Sequence, residues 1–145
     1  MAAHIALRPA RANDRAFIER VYFETQRWII EALFGWRGSD VESERFAEQY
    51  DAANTSIVVV DGEDAGWLTV QRGVDIYLHS IYLLPKAQRH GIGTRLLQQL
   101  LDEGREDATV VRLDTASINP ARRLYERLGF TVIREDRFKV YMQSG

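Results

Sequence analysis

The stretch Asn119-Pro120-Ala121-Arg122-Arg123-Leu124-Tyr125-Glu126-Arg127-Leu128-Gly129-Phe130 carries the start, the apolar face and the stop of a helix in one place. Asn119 supplies an N-cap oxygen, and Pro120 suits the first helical position, where an amide hydrogen has no partner to lose. Gly129 can adopt the left-handed conformation that ends a helix. The spacing therefore predicts a helix over residues 119–128. Ala121, Leu124, Tyr125 and Leu128 follow the i, i+3, i+4, i+7 pattern, which sets the Tyr125 phenol on or beside the buried edge.

A second constraint is Gln88-Arg89-His90-Gly91-Ile92-Gly93. It follows a β-rich run over residues 76–84 closed by Pro85, and precedes an amphipathic segment with Ile92, Leu96, Leu97, Leu100 and Leu101. The order reads strand, Gly-rich loop, helix. The first turn of such a helix presents unpaired N–H groups at the positive end of its dipole, and two glycines let an anion approach them. A phosphate or pyrophosphate fits that chemistry. The third glycine of a dinucleotide fingerprint is missing after Gly93, and no G-K-[ST] triphosphate loop occurs.

With 145 residues the chain is expected to be a single domain, 1–145, with one core. Its 19 basic and 21 acidic residues leave a formal charge of −2 with no long run of either sign, so no broad footprint for nucleic acid is expected. Cysteine is absent, which removes a thiol nucleophile, a disulfide and a Cys-ligated zinc site together. No signal-peptide pattern and no apolar run near ~20 residues is found, so no membrane association and a cytoplasmic location are the expectations.

No internal repeat, linker or low-complexity tract interrupts the chain. Residues 5–8 read as a first strand. Asn13 or Asp14 can cap a helix through Phe17, Ile18, Val21 and Tyr22, and residues 26–34 read as a second helix. After the break at residues 35–38, Ser39 or Asp40 can cap a third helix carrying Val41, Phe46 and Tyr50. Residues 56–60 and 66–70 flank the turn Asp61-Gly62-Glu63-Asp64 as a β-hairpin. A second turn at Arg72-Gly73 leads into the strand before the Gly-rich loop. Strands follow at 110–114, 130–134 and 138–142, so the expected class is α/β, a mixed sheet with helices on both faces.

Together, in this order, the two motifs resemble the GCN5-related N-acetyltransferase (GNAT) superfamily. Its Gln/Arg-x-x-Gly-x-Gly/Ala loop corresponds to residues 88–93, and its Tyr-x-x-x-Gly-Phe signature to Tyr125-Glu126-Arg127-Leu128-Gly129-Phe130. The resemblance implies a mixed sheet of six to seven strands, splayed beside the strand at residues 76–84, with the pantetheine arm of acetyl-CoA in the gap. It implies that backbone around Ile81, Tyr82 and Leu83 pairs with that arm as an added strand does. Gln88, Arg89, His90, Gly91, Ile92, Gly93 and Thr94 would then bind the pyrophosphate, and Tyr125 would stand near the sulfur. Asn119 lies six residues before Tyr125, one fewer than the commonest spacing in the family, and the resemblance carries it over as a cofactor contact despite that departure. The cosubstrate implied is acetyl-CoA, with no metal. The implied partner is a small-molecule or peptide amine acceptor, and homodimers are common in the family.

Transfer of an acetyl group from a thioester to an amine poses two proton problems. An ammonium of pKa ~10.4 is neutral in about one molecule in 2,500 at pH 7, so a base or water chain must act on it. The departing thiolate belongs to a thiol of pKa ~8.5, so full transfer from an ordinary phenol of pKa ~10 is uphill by roughly 2 kcal/mol. Tyr125 is therefore expected to donate a hydrogen bond as charge develops; its alternative is a core aromatic with a wet hydroxyl. His79, sharing strand parity with Ile81 and Leu83, is a candidate base or a hydrogen-bonded core histidine. Glu24 and Glu31 fall on the first two helices, which the resemblance implies shape the acceptor site, and Glu24 is a candidate to orient or deprotonate the ammonium or else a solvated helix carboxylate. With no cysteine for an acetyl-enzyme, direct attack is the expected route. The competing reading is a non-catalytic acyl-CoA-binding regulatory domain.

Overall fold

β-branched and aromatic runs form seven strands in the computed structural model, which describes residues 2–145. The strands are β1 (Ile5–Pro9), β2 (Thr55–Val60), β3 (Glu63–Arg72), β4 (Ile76–Leu83), β5 (Val111–Ala116), β6 (Phe130–Glu135) and β7 (Lys139–Ser144). Their order in the sheet is β1-β2-β3-β4-β5-β7-β6. The helices are α1 (Arg15–Phe34), α2 (Ser39–Gln49), α3 (Ile92–Glu106) and α4 (Arg122–Arg127). This is the mixed α/β class expected. The chain groups into two compact units: the residues up to Thr69 with Ser80–Gln88, and Val70–His79 with Arg89–Gly145. Strands β3 and β4 each contribute residues to both.

In the first unit β1 and β3 both run antiparallel to β2. The β2–β3 turn is tighter than expected. Asp61 at φ 50° and Gly62 at φ 85° form a two-residue connection, and Glu63 and Asp64 already belong to β3. Positive φ at both central positions is the geometry whose twist matches the paired strands. Ile18, Val21, Phe46, Ile57, Trp67 and Leu84 make the core, and the Trp67 indole N–H donates to Ile18 O at 3.0 Å.

Two expectations fail here. The helices expected around residues 14–22 and 26–34 are one continuous helix, α1. No glycine or proline separates them, and the Thr25 hydroxyl, a helix-weakening group when it competes for backbone, donates back to Val21 O at 2.8 Å within the helix. The third helix is preceded by Gly38 at φ 102°, with Ser39 as its first helical residue, so neither Ser39 nor Asp40 is the cap. Tyr50 falls just past its end and Val41 is exposed.

In the second unit Ile76–Leu78 of β4 pair in parallel with Val111–Leu113 of β5. β5 pairs antiparallel with β7, and β7 with β6. Ile92, Leu96, Leu97, Leu100 and Leu101 of α3 are all buried, as their spacing requires. An added Cβ at Gly104 would meet Thr109 O at 2.9 Å and a Val111 methyl at 3.2 Å, which places α3 close over the strand face holding Ile76 and Val111. The final helix is shorter than expected. Residues 119–121 form a turn, with Arg122 N–H bonding Asn119 O at 3.3 Å and Arg123 N–H bonding Pro120 O at 3.2 Å, and the α-helix starts at Arg122. These i to i−3 bonds are the tightened turn that short helices use at their ends. Gly129 takes φ 99°, the helix stop expected of it.

Candidate active site

Candidate residues occur in each unit, and each set is described by its own geometry. In the first unit, Ile81, Tyr82 and Leu83 close β4 half-buried. The Tyr82 ring meets Trp67 edge-on at 5.0 Å and Tyr22 at 5.7 Å. Leu83 O accepts from the Gln88 side-chain amide at 2.8 Å, so Gln88 ties the loop back to the strand end. Leu84 N–H donates to Ala65 O at 2.8 Å. This tight approach depends on Gly66, where an added Cβ would lie 2.2 Å from Tyr82 O and 2.9 Å from Leu83 Cα. Gly66 was not singled out from the sequence; a lone glycine inside a strand is the signal that marks close backbone approach. Glu24 is exposed and pairs with Arg20 one helical turn away at 3.6 Å. Glu31 is likewise exposed and pairs with Arg27 at 2.8 Å.

In the second unit the Gly-rich loop turns sharply into α3. Arg89 adopts φ 66° and Gly91 φ 74°, two left-handed residues with His90 between them. Left-handed alternation of this kind turns successive amides toward one side, the geometry of an anion nest. The first α3 ladder bond joins Arg95 N–H to Gly91 O at 3.0 Å, so the amides of Ile92, Gly93 and Thr94 precede the ladder. An added Cβ at Gly91 would meet nothing within 4 Å. Arg89, His90, Gly91 and Thr94 are exposed, while the Ile92 side chain is buried, leaving Ile92 only its amide to offer a ligand. A diphosphate suits these groups: open backbone amides at a helix start, flanked by the Arg89 guanidinium.

Tyr125 is buried, 6% exposed, and its ring meets Phe130 edge-on at 6.1 Å. Burial, with a smaller push from the charge of Asp114, raises its phenol pKa to about 12. Asn119 uses both ends of its side-chain amide locally. Its nitrogen donates to Thr115 Oγ1 at 3.0 Å, and its oxygen accepts from Ala121 N–H at 2.9 Å. Asn119 thus caps the turn that sets Tyr125 in place. His79 is exposed, not a core histidine; its Nε2–H donates to Gln71 Oε1 at 3.0 Å and its ring lies 4.6 Å from that of Tyr77. Among the described residues no cluster of three or more His, Cys, Asp or Glu is arranged to hold a metal, and no helix is long and apolar enough to cross a membrane.

The sequence profile of the acetyltransferase (GNAT) family matches residues 22–130, and the chain belongs to that family. No curated protein matches it significantly. Among solved structures it is similar to the PaiA N-acetyltransferase of Thermoplasma acidophilum in complex with coenzyme A, at 17% identity and a TM-score of 0.76, covering 97% of this chain and 98% of that one. It is similar to Naa50 of Arabidopsis thaliana in complex with the bisubstrate analogue CoA-Ac-MVNAL, at 15% identity, TM-score 0.65, and the same coverage of 97% and 98%. It is also similar to Ard1 of Thermoplasma volcanium, at 18% identity, TM-score 0.61, over 96% and 95% of the two chains. At these identities the likeness is one of fold.

Proposed function

We propose that this chain is an acetyl-CoA-dependent N-acetyltransferase that acts as one domain and moves the acetyl group to a primary amine by direct attack. The observation that carries the reading is the loop at residues 88–93. Its left-handed Arg89 and Gly91 deliver the open amides of Ile92, Gly93 and Thr94 to one place, and the pyrophosphate of acetyl-CoA is the anion for them. The pantetheine arm pairs with backbone at Ile81 and Leu83, and an amide of that strand holds the thioester oxygen as charge develops on it. Leu83 O is already engaged by Gln88, so the arm takes its acceptor from Ile81.

Tyr125 assists the departing thiolate as a hydrogen-bond donor. With its phenol near pKa 12, full proton transfer to a thiolate of pKa ~8.5 is uphill by about 5 kcal/mol, so the bond strengthens as the C–S bond breaks and the proton follows from the attacking nitrogen. Asn119 contributes through the turn before α4. The solvent-exposed Glu24 and His79, engaged by Arg20 and Gln71, orient or screen the acceptor's charge in this scheme.

The test is a binding and turnover pair. Coenzyme A should raise the melting temperature. Acetyl-CoA with a panel of polyamines, amino acids, peptides and aminoglycosides should release free thiol. Stabilisation by coenzyme A with no thiol released from any amine would instead mark a non-catalytic acyl-CoA-binding domain. Stabilisation by ATP or NAD equal to that by coenzyme A would remove the pyrophosphate assignment.

A further inference from the structure

One face of the second unit's strands carries a group of polar side chains that the reading above does not use. In β4, Ile76 and Leu78 are buried and Tyr77 points the other way; in β5, Val111 and Leu113 are buried and Asp114 points the other way. The parallel register sets Tyr77 opposite Arg112, two residues from Asp114, which brings both side chains to one face. There the Tyr77 hydroxyl donates to Asp114 Oδ2 at 2.6 Å. The other carboxylate oxygen, Oδ1, takes the Lys139 ammonium of β7 at 3.1 Å. Asp114 is mostly enclosed, with its side chain 18% exposed, while Lys139 is about half exposed. The charge of Asp114 also reaches Tyr125, the residue assigned to the sulfur.

We infer that Tyr77 and Asp114 form the acceptor-side proton relay of the transferase, and that the acceptor is a primary alkyl amine arriving as its ammonium. The inference rests on the N-acetyltransferase reading. In the step, the ammonium donates a hydrogen bond to the phenol oxygen of Tyr77. One proton passes from nitrogen to that oxygen while the phenol proton passes to Asp114 Oδ2. The amine becomes neutral, Tyr77 remains a phenol, and Asp114 becomes a carboxylic acid that later releases its proton to water. The nitrogen lone pair then forms the C–N bond as the C–S bond breaks, and a second nitrogen proton accompanies the thiolate.

The arrangement has a physical reason. Burial, followed by the hydrogen bond to Asp114, pushes the Tyr77 phenol above its ordinary range, so a free tyrosinate is not an available base. Passing the proton through to a carboxylate never places a net charge on the phenol. The groups around the pair have set roles. Lys139 offsets the charge of Asp114, while Tyr141 stands opposite Asp114 in the β5–β7 register. Arg112 pairs with Asp75 at 3.4 Å, and the His79 ring lies 4.6 Å from that of Tyr77.

The test is the pH profile of kcat/KM with acetyl-CoA and the best amine of the panel, for the wild type, Asp114→Asn and Tyr77→Phe. The wild type should be nearly flat from pH 7 to 9. Asp114→Asn should fall about 10²-fold at pH 7 and recover about tenfold per pH unit toward the amine's own pKa, where neutral amine no longer needs the relay. Tyr77→Phe should show the same slope with a smaller loss. Melting temperature and coenzyme A affinity should stay near wild type, and Tyr77→Phe, which removes one oxygen atom, carries the test if Asp114→Asn does not fold. A loss equal at every pH, or no loss, overturns the relay alone. A wild type that releases no thiol with any amine overturns the parent reading and the relay with it.

Discussion

Replacing Gly66 with alanine tests whether the backbone of β3 must lie against the end of β4. The added Cβ would stand 2.2 Å from Tyr82 O, 2.9 Å from Leu83 Cα and 3.0 Å from Leu83 Cδ2. Ordinary carbon contacts sit at about 3.5 Å, so the strand end must retreat by about 1 Å. The obstacle is backbone, with no flexible side-chain tip to swing aside. Overpacking of this kind costs about 3 kcal/mol at the upper end of its range, and the reduced freedom of the unfolded chain returns about 0.5–1 kcal/mol. A net loss of about 2 kcal/mol corresponds to a fall in Tm of about 6 °C at this chain length. Differential scanning calorimetry measures it. Gly73, where an added Cβ meets nothing within 4 Å and φ is not in the left-handed region, is the control, and Gly73→Ala should raise Tm by about 2 °C through the same loss of unfolded-chain freedom. Gly66→Ala should also weaken coenzyme A in titration calorimetry, because it displaces the strand end proposed to hold the pantetheine arm. A Tm indistinguishable from that of the Gly73 control would refute the close-approach argument.

Three further outcomes are expected. Gly91→Ala has room for its methyl but strains a residue at φ 74°, so it should cost about 1 kcal/mol of stability and raise the coenzyme A Kd several-fold; unchanged affinity would detach the loop from the pyrophosphate. Tyr125→Phe should lower kcat about 10²-fold with little change in coenzyme A affinity, and wild-type kcat should show no loss from Tyr125 ionisation below about pH 10, since burial lifts that phenol to about 12 and keeps it protonated. Arg8 grips the Asp14 carboxylate through two bonds of 2.9 Å and holds its pKa down at about 2 from 3.8. The stabilisation, about 2 kcal/mol, is complete above pH 4 and lost as pH falls toward 2, and Arg8→Met should flatten that part of the acid-unfolding curve.

The strand, Gly-rich loop and α3 were legible because their physics is local. Gly91, the apolar stripe from Ile92 to Leu101 and the closing Pro85 each act within a turn or two of chain. The same holds for Tyr125 and Gly129, whose helical spacing and positive φ come from neighbours in sequence. Boundaries set by competition were less legible. Asn119 looked like the cap of a full helix, but Thr115 and Ala121 both claim its amide and the first turn tightens. Residues 15–34 hold weak helix formers at Thr25 and the aromatics around it, yet burial of Ile18, Val21, Ile29 and Ile30 holds one helix together where two were expected. Gly66 and the Tyr77–Asp114 bond were invisible because both depend on which strands become neighbours. Nothing near Tyr77 in the sequence announces a carboxylate 37 positions away.

Thiol release from acetyl-CoA measures the central claim most directly, followed with purified protein across the amine panel and repeated with Tyr125→Phe. The account predicts amine-dependent release of free coenzyme A in step with formation of the N-acetyl product, reduced about 10²-fold by the substitution. No release above the amine-free background with any acceptor, or equal release by the wild type and Tyr125→Phe, would contradict it.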